Sequence, residues 1–229
     1  MCSSDLAAGT GVLNIGAPVT VSYNSTVGGT STGAITLGAA TLADGVTLTV
    51  GTGIANTLSL SSVTGTAGGS ASNLTINTTG AVTVGAVGTD IGTITITNSG
   101  GTTFSSTVSA ATVAITSTTV GNTVSFNGNL TLTSGMTVGA GSAAYNVAIL
   151  GSSNSIAGAT TFSNTGTVTL GDGSDAVAFT GGLVATAPSR VYLGGTITAA
   201  GTGVLNIGAP VTVSYNSTVG GTSTGAITL

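Results

Sequence analysis

The chain has 229 residues, of which one is basic, five are acidic and none is histidine, giving a formal net charge of −4 at pH 7. Charged residues make up 3% of the chain and aromatic residues another 3%, whereas charged residues usually make up about 25% of a soluble domain. This composition excludes nucleic acid as a partner, because binding it requires basic side chains on the phosphates and aromatic rings on the bases.

The rest of the composition describes a chain that can build a core but has few groups for chemistry. Hydrophobic residues make up 41%, which separates it from disordered chains. No run of about 18 apolar residues predicts a transmembrane segment. Lysine, glutamate and histidine are absent and Cys2 is the only cysteine, so acid-base and nucleophilic catalysis lack their usual side chains. We therefore expect no enzyme, no cofactor and no metal site.

The first six residues, MCSSDL, resemble a translated sequencing adapter, and we expect residues 1–6 to be a non-native leader. The natural start of the protein would then lie elsewhere, so the lack of a signal peptide says nothing about secretion. Without Cys2 the chain has no cysteine, which fits long extracellular repeat proteins that are not stapled by disulfides.

A long internal repeat begins directly after this leader. The segment from Ala7 to Leu37 recurs unchanged from Ala199 to Leu229, an offset of 192 residues. Residues 7–198 thus form one repeat unit, and residues 199–229 are the start of the next identical unit. Tandem duplication and a collapsed assembly of near-identical copies both predict an array. An artefact of joining short reads is the alternative origin of the overlap.

Short alternating triplets recur inside the unit, each with two apolar residues flanking a small, polar or aromatic one. Strict alternation with many β-branched residues is typical of half-buried strands. The same residues are poor helix formers and lack helical spacing, so we expect almost no helix. The triplets are Leu48-Thr49-Val50, Leu58-Ser59-Leu60, Leu74-Thr75-Ile76, Val82-Thr83-Val84, Ile94-Thr95-Ile96, Val113-Ala114-Ile115, Val124-Ser125-Phe126, Leu130-Thr131-Leu132, Val147-Ala148-Ile149, Val168-Thr169-Leu170 and Val191-Tyr192-Leu193.

Glycine-containing breaks follow nearly every triplet, and there we expect turns in which glycine takes a positive φ. The spacing predicts an all-β chain, a single-stranded β-solenoid with two or three short strands in each coil of about 20 residues. Threonine, serine and asparagine would face outward. Tandem β-sandwich domains are the alternative, although they would bring more buried aromatic residues. The predicted turn glycines are Gly51, Gly65, Gly80, Gly85, Gly139, Gly151 and Gly171.

The texture of stretches such as LTVGTG, LTINTTGAVTVG, ITITNSGG and VTLGDGS resembles the β-helical repeat regions of bacterial autotransporter passengers and filamentous-haemagglutinin-like adhesins. The resemblance covers residues 7–229 and rests on no invariant motif. It implies a right-handed β-helix in a secreted or cell-surface protein, extracellular and associated with the outer membrane through parts of a larger parent chain.

One close acidic pair, Asp172 and Asp175, lies in the stretch GDGSD between two predicted strands. Aspartate is common in turns because its side chain bonds nearby backbone, so a turn is the main interpretation. Calcium binding and glycosidase chemistry are the alternatives, and catalysis would require Asp44 or Asp90 to converge on the same groove. Arg190 is interpreted as a loop residue.

Threonine pairs separated by one residue offer a different binding hypothesis. Aligned pairs on one flat face would favour an ice- or carbohydrate-binding solenoid, whereas threonine is also simply well suited to an exposed strand. The threonine pairs are Thr47/Thr49, Thr93/Thr95/Thr97, Thr131/Thr133, Thr167/Thr169 and Thr196/Thr198.

Overall we expect a structural and adhesive segment whose partners are its neighbouring repeats and, beyond them, host-surface or glycan ligands.

Overall fold

The structure is a computed structural model that describes residues 10–30 and 32–229, so the expected leader at residues 1–6 lies outside the described residues. Within them the chain forms 23 strands and no helix. The strands are β1 Leu13–Ile15, β2 Val19–Val21, β3 Ser25–Val27, β4 Ile35–Leu42, β5 Thr47–Val50, β6 Leu58–Gly65, β7 Ser72–Asn77, β8 Val82–Val87, β9 Ile91–Asn98, β10 Thr102–Phe104, β11 Val108–Ile115, β12 Thr123–Phe126, β13 Leu130–Val138, β14 Asn146–Ile149, β15 Ser153–Ile156, β16 Thr160–Phe162, β17 Thr167–Leu170, β18 Ala176–Phe179, β19 Leu183–Val184, β20 Arg190–Ala199, β21 Leu205–Asn206, β22 Val211–Gly221 and β23 Ile227–Thr228.

The strands stack in parallel as a β-solenoid of about 10 turns of roughly 22 residues. The length of a turn varies, since Thr93 pairs with Thr112, 19 residues further on, whereas Thr47 pairs with Asn73, 26 residues further on. The predicted all-β solenoid is therefore confirmed, with coils slightly longer than expected. The sandwich alternative is wrong, because sandwiches are built from antiparallel sheets.

Three stacks of strands form three faces, which we number in the order in which the chain visits them. One segment from each face makes one layer, from layer 1 (β1, β2 and β3) to layer 10 (β22 and β23). Face 1 holds β1, β10, β12, β14, β17 and the first halves of β4, β6, β8, β20 and β22. Face 2 holds β2, β15, β18, the second halves of the same five strands and the first halves of β11 and β13. Face 3 holds β3, β5, β7, β9, β16, β19, β21, β23 and the second halves of β11 and β13.

The predicted triplets all lie on strands, and their outer two residues point into the core. Leu48 and Val50, for example, are buried while Thr49 between them is half-exposed. Successive side chains of a strand point to opposite sides, so each layer places alternate residues on top of the buried residues of the layer below. The core is a single cluster running the length of the stack.

All four phenylalanines lie in this core. Phe104 and Phe126 occupy adjacent layers of face 1 and stack with ring centroids 4.8 Å apart and nearly parallel planes. Phe162 on face 3 meets Phe179 on face 2 edge to face, with centroids 6.4 Å apart. Aromatic pairs favour such offset or edge-on geometries, and here they connect layers and faces of the solenoid.

The expectation that threonine, serine and asparagine face outward is wrong for a set of corner residues. Between face 3 and face 1 the chain buries a column of polar side chains, because the strands end there and their backbone groups need partners. The Thr78 hydroxyl donates to the carbonyl oxygens of Ile54 and Asn56 at 2.7 and 2.6 Å. The column consists of Asn56, Thr78, Ser99, Thr118 and Asn164.

Tyr145 completes the same corner. Its hydroxyl donates to the carbonyl oxygen of Gly139 at 2.6 Å, and Asn164 donates to the carbonyl oxygen of Tyr145 at 2.9 Å. Burial raises the pKa of the Tyr145 phenol to about 12. The neutral phenol thus closes the turn after β13 and stays protonated at any physiological pH.

Of the seven predicted turn glycines, two have a positive φ and five do not; three of these five, Gly80, Gly139 and Gly151, lie between strands as expected. Gly51 and Gly171 have φ of 87° and 76° and are turn residues as expected. Gly65 and Gly85 instead lie within strands, where an added Cβ would come within 2.2 Å of the Asp90 carbonyl oxygen and 2.0 Å of a carbonyl oxygen in the layer below. For these two the expected turn is wrong, and glycine is required because adjacent layers approach too closely for a side chain.

Candidate functional site

The acidic turn lies at the corner between face 1 and face 2 in layer 8, where it joins β17 to β18. Asp175 is buried, and its Oδ2 accepts a hydrogen bond from the backbone N–H of Asp172 at 2.7 Å. Its own carbonyl oxygen accepts from the N–H of Thr196, in layer 9, at 2.7 Å. The turn predicted from the sequence is thus present, and Asp175 connects it to the next layer.

The two carboxyl groups also influence each other electrostatically. A side-chain hydrogen bond with Asp175 raises the pKa of Asp172 above its usual value, and partial burial and the negative charge of Asp175 act in the same direction. Asp172 is itself exposed. The protonated form of Asp172 is therefore favoured relative to that of an isolated aspartate.

An open cavity of about 390 Å³ lies beside this turn and spans layers 8, 9 and 10. Tyr215 projects from the uppermost layer with 54% of its surface exposed. A tyrosine ring beside hydroxyl and amide groups offers an apolar surface together with hydrogen-bonding groups, a combination suited to polar ligands. The lining residues are Gly173, Ser174, Gly195, Thr196, Tyr215 and Asn216.

Sequence reasoning missed this cavity. Tyr215 lies 40 residues after Asp175 in the sequence, and only the register of layers 8 to 10 brings the two corners together. The available signal was the recurrence of Tyr-Asn-Ser at the same point of both copies of the repeat, at residues 23–25 and 215–217.

The other acidic residues and the single cation lie elsewhere. Asp44 and Asp90 belong to the corners between face 2 and face 3 in layers 2 and 4, away from the acidic turn. Among residues 10–30 and 32–229 no three histidine, cysteine or acidic side chains are placed to hold a metal ion. The loop interpretation of Arg190 is wrong, because it begins β20 and donates through Nη1 to the Thr212 hydroxyl at 2.7 Å.

The threonine pairs do not share one face. Thr47/Thr49 and Thr93/Thr95 lie on face 3, Thr131 and Thr196/Thr198 on face 2, and Thr167/Thr169 on face 1. The longest uninterrupted column of threonines lies on face 3, with one in each of layers 1 to 4, and it is then broken by Ala114, Val184 and Asn206 in layers 5, 8 and 9. The aligned residues are Thr26, Thr49, Thr75 and Thr95, followed beyond the first break by Thr137, Thr161 and Thr228.

No protein-family model, no curated protein and no solved structure matches the chain. The part of the chain that the structure describes contains no helix able to cross a membrane. The class of the protein is therefore given by its fold alone, a parallel β-solenoid with layers stacked upon each other.

Proposed function

We propose that the chain is a structural and adhesive segment of a large secreted or cell-surface bacterial protein, in which stacked units form a rod that carries binding surfaces away from the cell. The observation that carries the proposal is the mode of stacking. Each turn of roughly 22 residues adds one strand layer, about 4.8 Å, so adding units lengthens the rod without requiring a new core.

The outward surface supports the same proposal. The central residue of each face 1 segment is small, polar and uncharged in most layers, as with Thr83, Thr103 and Ser125. Such a surface has little long-range electrostatic attraction for other molecules, because steering requires clustered charge. Specific binding then depends on a few local features while the remaining surface acts as an inert spacer.

Rod formation is tested with chains of one, two and three units visualised by electron microscopy. We expect the contour length to grow by about 42 Å per unit, from about 4.8 Å per layer. Equal lengths, or compact particles, would contradict the proposal. Protease accessibility of the chain on intact bacteria tests the surface location, and capture of chain-coated beads by host cells tests adhesion.

Carbohydrate binding is a second candidate, favoured by the cavity beside the acidic turn. Tyr215 and Asn216 border it, whereas their copies Tyr23 and Asn24 lie in layer 1, between β2 and β3, at the other end of the stack. Tyr215→Ala should weaken binding to glycan arrays, whereas the matched Tyr23→Ala should leave it unchanged. Equal loss in both variants would argue against a site at this corner.

Ice binding has a narrower basis, the threonine column in layers 1 to 4 of face 3. Thr75→Lys places a charge in that column, and Thr103→Lys places one on face 1 as a matched control. If the column orders water against ice, the first variant loses inhibition of ice recrystallisation and the second retains it. Among residues 10–30 and 32–229, no arrangement of carboxylates favours the third alternative, a polysaccharide-active enzyme.

A further inference from the structure

The two identical segments of the chain occupy different positions around the solenoid. In the first copy, Leu13 begins face 1 of layer 1, and its strand pairs with Ile35 of layer 2. In the second copy the equivalent Leu205 lies on face 3 of layer 9 and pairs with Ile227 of layer 10. The second copy is thus displaced by one face relative to the first.

The contacts inside each copy are nevertheless the same. The N–H of Leu13 donates to the carbonyl oxygen of Ala34 at 2.9 Å, and the N–H of Leu205 donates to that of Ala226 at 3.0 Å. A second preserved contact is the hydroxyl of Ser25 bonded to the carbonyl oxygen of Tyr23 at 2.7 Å, repeated between Ser217 and Tyr215 at 2.8 Å. The segment keeps its own turn length and corners and takes whichever face it reaches.

The displacement follows from the number of faces in the unit. Between Leu13 on face 1 of layer 1 and Leu205 on face 3 of layer 9, the chain completes eight turns and two further faces. A unit of 192 residues therefore does not contain a whole number of turns. The unit ends one face before its ninth turn is complete.

We propose that in an array of these units each unit is rotated by one face, a third of a turn, relative to the unit before it. The inference rests on the proposed array. Three successive units then return to the starting face, and this triple is the true structural repeat of the rod. A feature that each unit carries once is presented in turn on all three sides.

The rotation changes the side of the rod on which the exposed tyrosine of each unit lies. Tyr23, 70% exposed, lies at the corner between faces 2 and 3, whereas Tyr215, 54% exposed, lies at the corner between faces 1 and 2. Tyrosine presents a large contact area at low entropic cost. A rod with tyrosines on three sides can be bound by a surface-fixed partner from any direction, and its partner sites lie about 42 Å apart along the axis.

Distances between spin labels test the rotation in the chain itself, in a Cys2→Ser background. Thr26→Cys/Thr95→Cys places two labels three layers apart on face 3. Thr161→Cys/Thr218→Cys also spans three layers, but Thr218 is the copy of Thr26 and lies on face 2. Thr161→Cys/Thr228→Cys is the matched control, since both residues lie on face 3.

We expect the first and third pairs to give the same distance, about 15 Å between backbones at about 4.8 Å per layer. The second pair should be longer, about 18 Å between backbones, since opposed sheets lie about 10 Å apart, and the outward-facing labels on different faces add to this separation. Coincidence of the second pair with the other two would overturn the rotation. That result would leave rod length and adhesion untouched, so it is distinguishable from failure of the proposed function. Unchanged circular dichroism verifies that each variant folds.

Discussion

The two copies of the repeated segment have the same sequence and different burial. Leu37 is 1% exposed in layer 2, where β6 covers it, whereas its copy Leu229 is 66% exposed beyond β23. At another position the second copy is the more buried one, because Ile207 is fully buried whereas Ile15, the equivalent residue of the first copy, is half-buried in layer 1. Local sequence therefore determines strands and corners, while neighbouring layers determine which apolar side chains become core.

The largest difference between the copies is expected at the leucine pair. Leu37→Ala leaves a cavity between Ile15 and Leu60 and should lower the free energy of unfolding by about 2–5 kcal/mol. Leu229→Ala removes exposed surface and should change it by less than about 0.5 kcal/mol. Denaturant unfolding followed by circular dichroism measures both. Similar losses would mean that burial differs less between the copies than the structure indicates.

A smaller difference of opposite sign is expected at the isoleucine pair. Ile207→Ala should destabilise the chain by about 2–4 kcal/mol, and Ile15→Ala by roughly half as much, since that side chain is only half-buried. The same unfolding experiment applies. Here the second copy is the more sensitive one, so a general weakness of either end of the chain cannot produce both results.

A pair of identical tripeptides extends the comparison to the middle of the rod. Thr-Thr-Phe occurs at residues 102–104 on face 1 and 160–162 on face 3, and each first threonine is buried in an apolar column. Neither Oγ1 has a hydrogen-bond partner. Because an unsatisfied buried hydroxyl costs about 1–3 kcal/mol, Thr102→Val and Thr160→Val should each raise the unfolding free energy by about 1 kcal/mol.

Thr103→Val is the control for these variants, since it changes the half-exposed, outward-facing middle residue of the first tripeptide. Its effect should lie within about 0.5 kcal/mol. Loss of stability in Thr102→Val would show that the hydroxyl has a partner that the structure does not contain.

Strands and turns could be predicted from sequence because they depend on short patterns. Alternation places Val124 and Phe126 inward whatever lies above them, and Gly171 marks its turn directly. The layer in which a residue is buried could not be predicted, because turn lengths of 19 to 26 residues shift each strand against the next. Thr160 lies between Met136 and Leu183 only through those shifts.

The candidate site was partly predictable for the same reason. Asp172 and Asp175 are close in sequence, so their turn was evident from the local pattern. Tyr215 joins them through stacking over two turns, and no local pattern contains that information. The buried corner column was also missed, since Thr78 and Ser99 resemble the exposed threonines and serines that surround them.

The smallest expected effect is a pH dependence of stability that is present near the second copy and absent from the first. The acidic turn lies near the second copy, where Asp175 bonds Thr196 of layer 9. Since the pKa of Asp172 is raised in the folded chain, its contribution to stability is fully present below the ordinary aspartate pKa, about 3.9. It is lost as the pH rises through the folded value.

Hydrogen exchange at low and neutral pH measures this effect. We expect amides of layers 8 to 10 to gain protection towards low pH relative to the same amides in Asp172→Asn, which no longer titrates at that position. Amides of layers 1 and 2, in the first copy, should respond equally in both proteins. A pH response of layers 8 to 10 that survives in the variant would assign it to another group.

The parallel stacking of layers also determines how the rod responds to tension. Hydrogen bonds between layers point along the axis, so a pull on the two ends loads them one layer at a time rather than all together. Detaching one turn of roughly 22 residues replaces a rise of about 4.8 Å with about 70 Å of extended chain, at about 3.3 Å per residue. A chain stacked in this way yields stepwise under load and lengthens many-fold before its covalent backbone is strained.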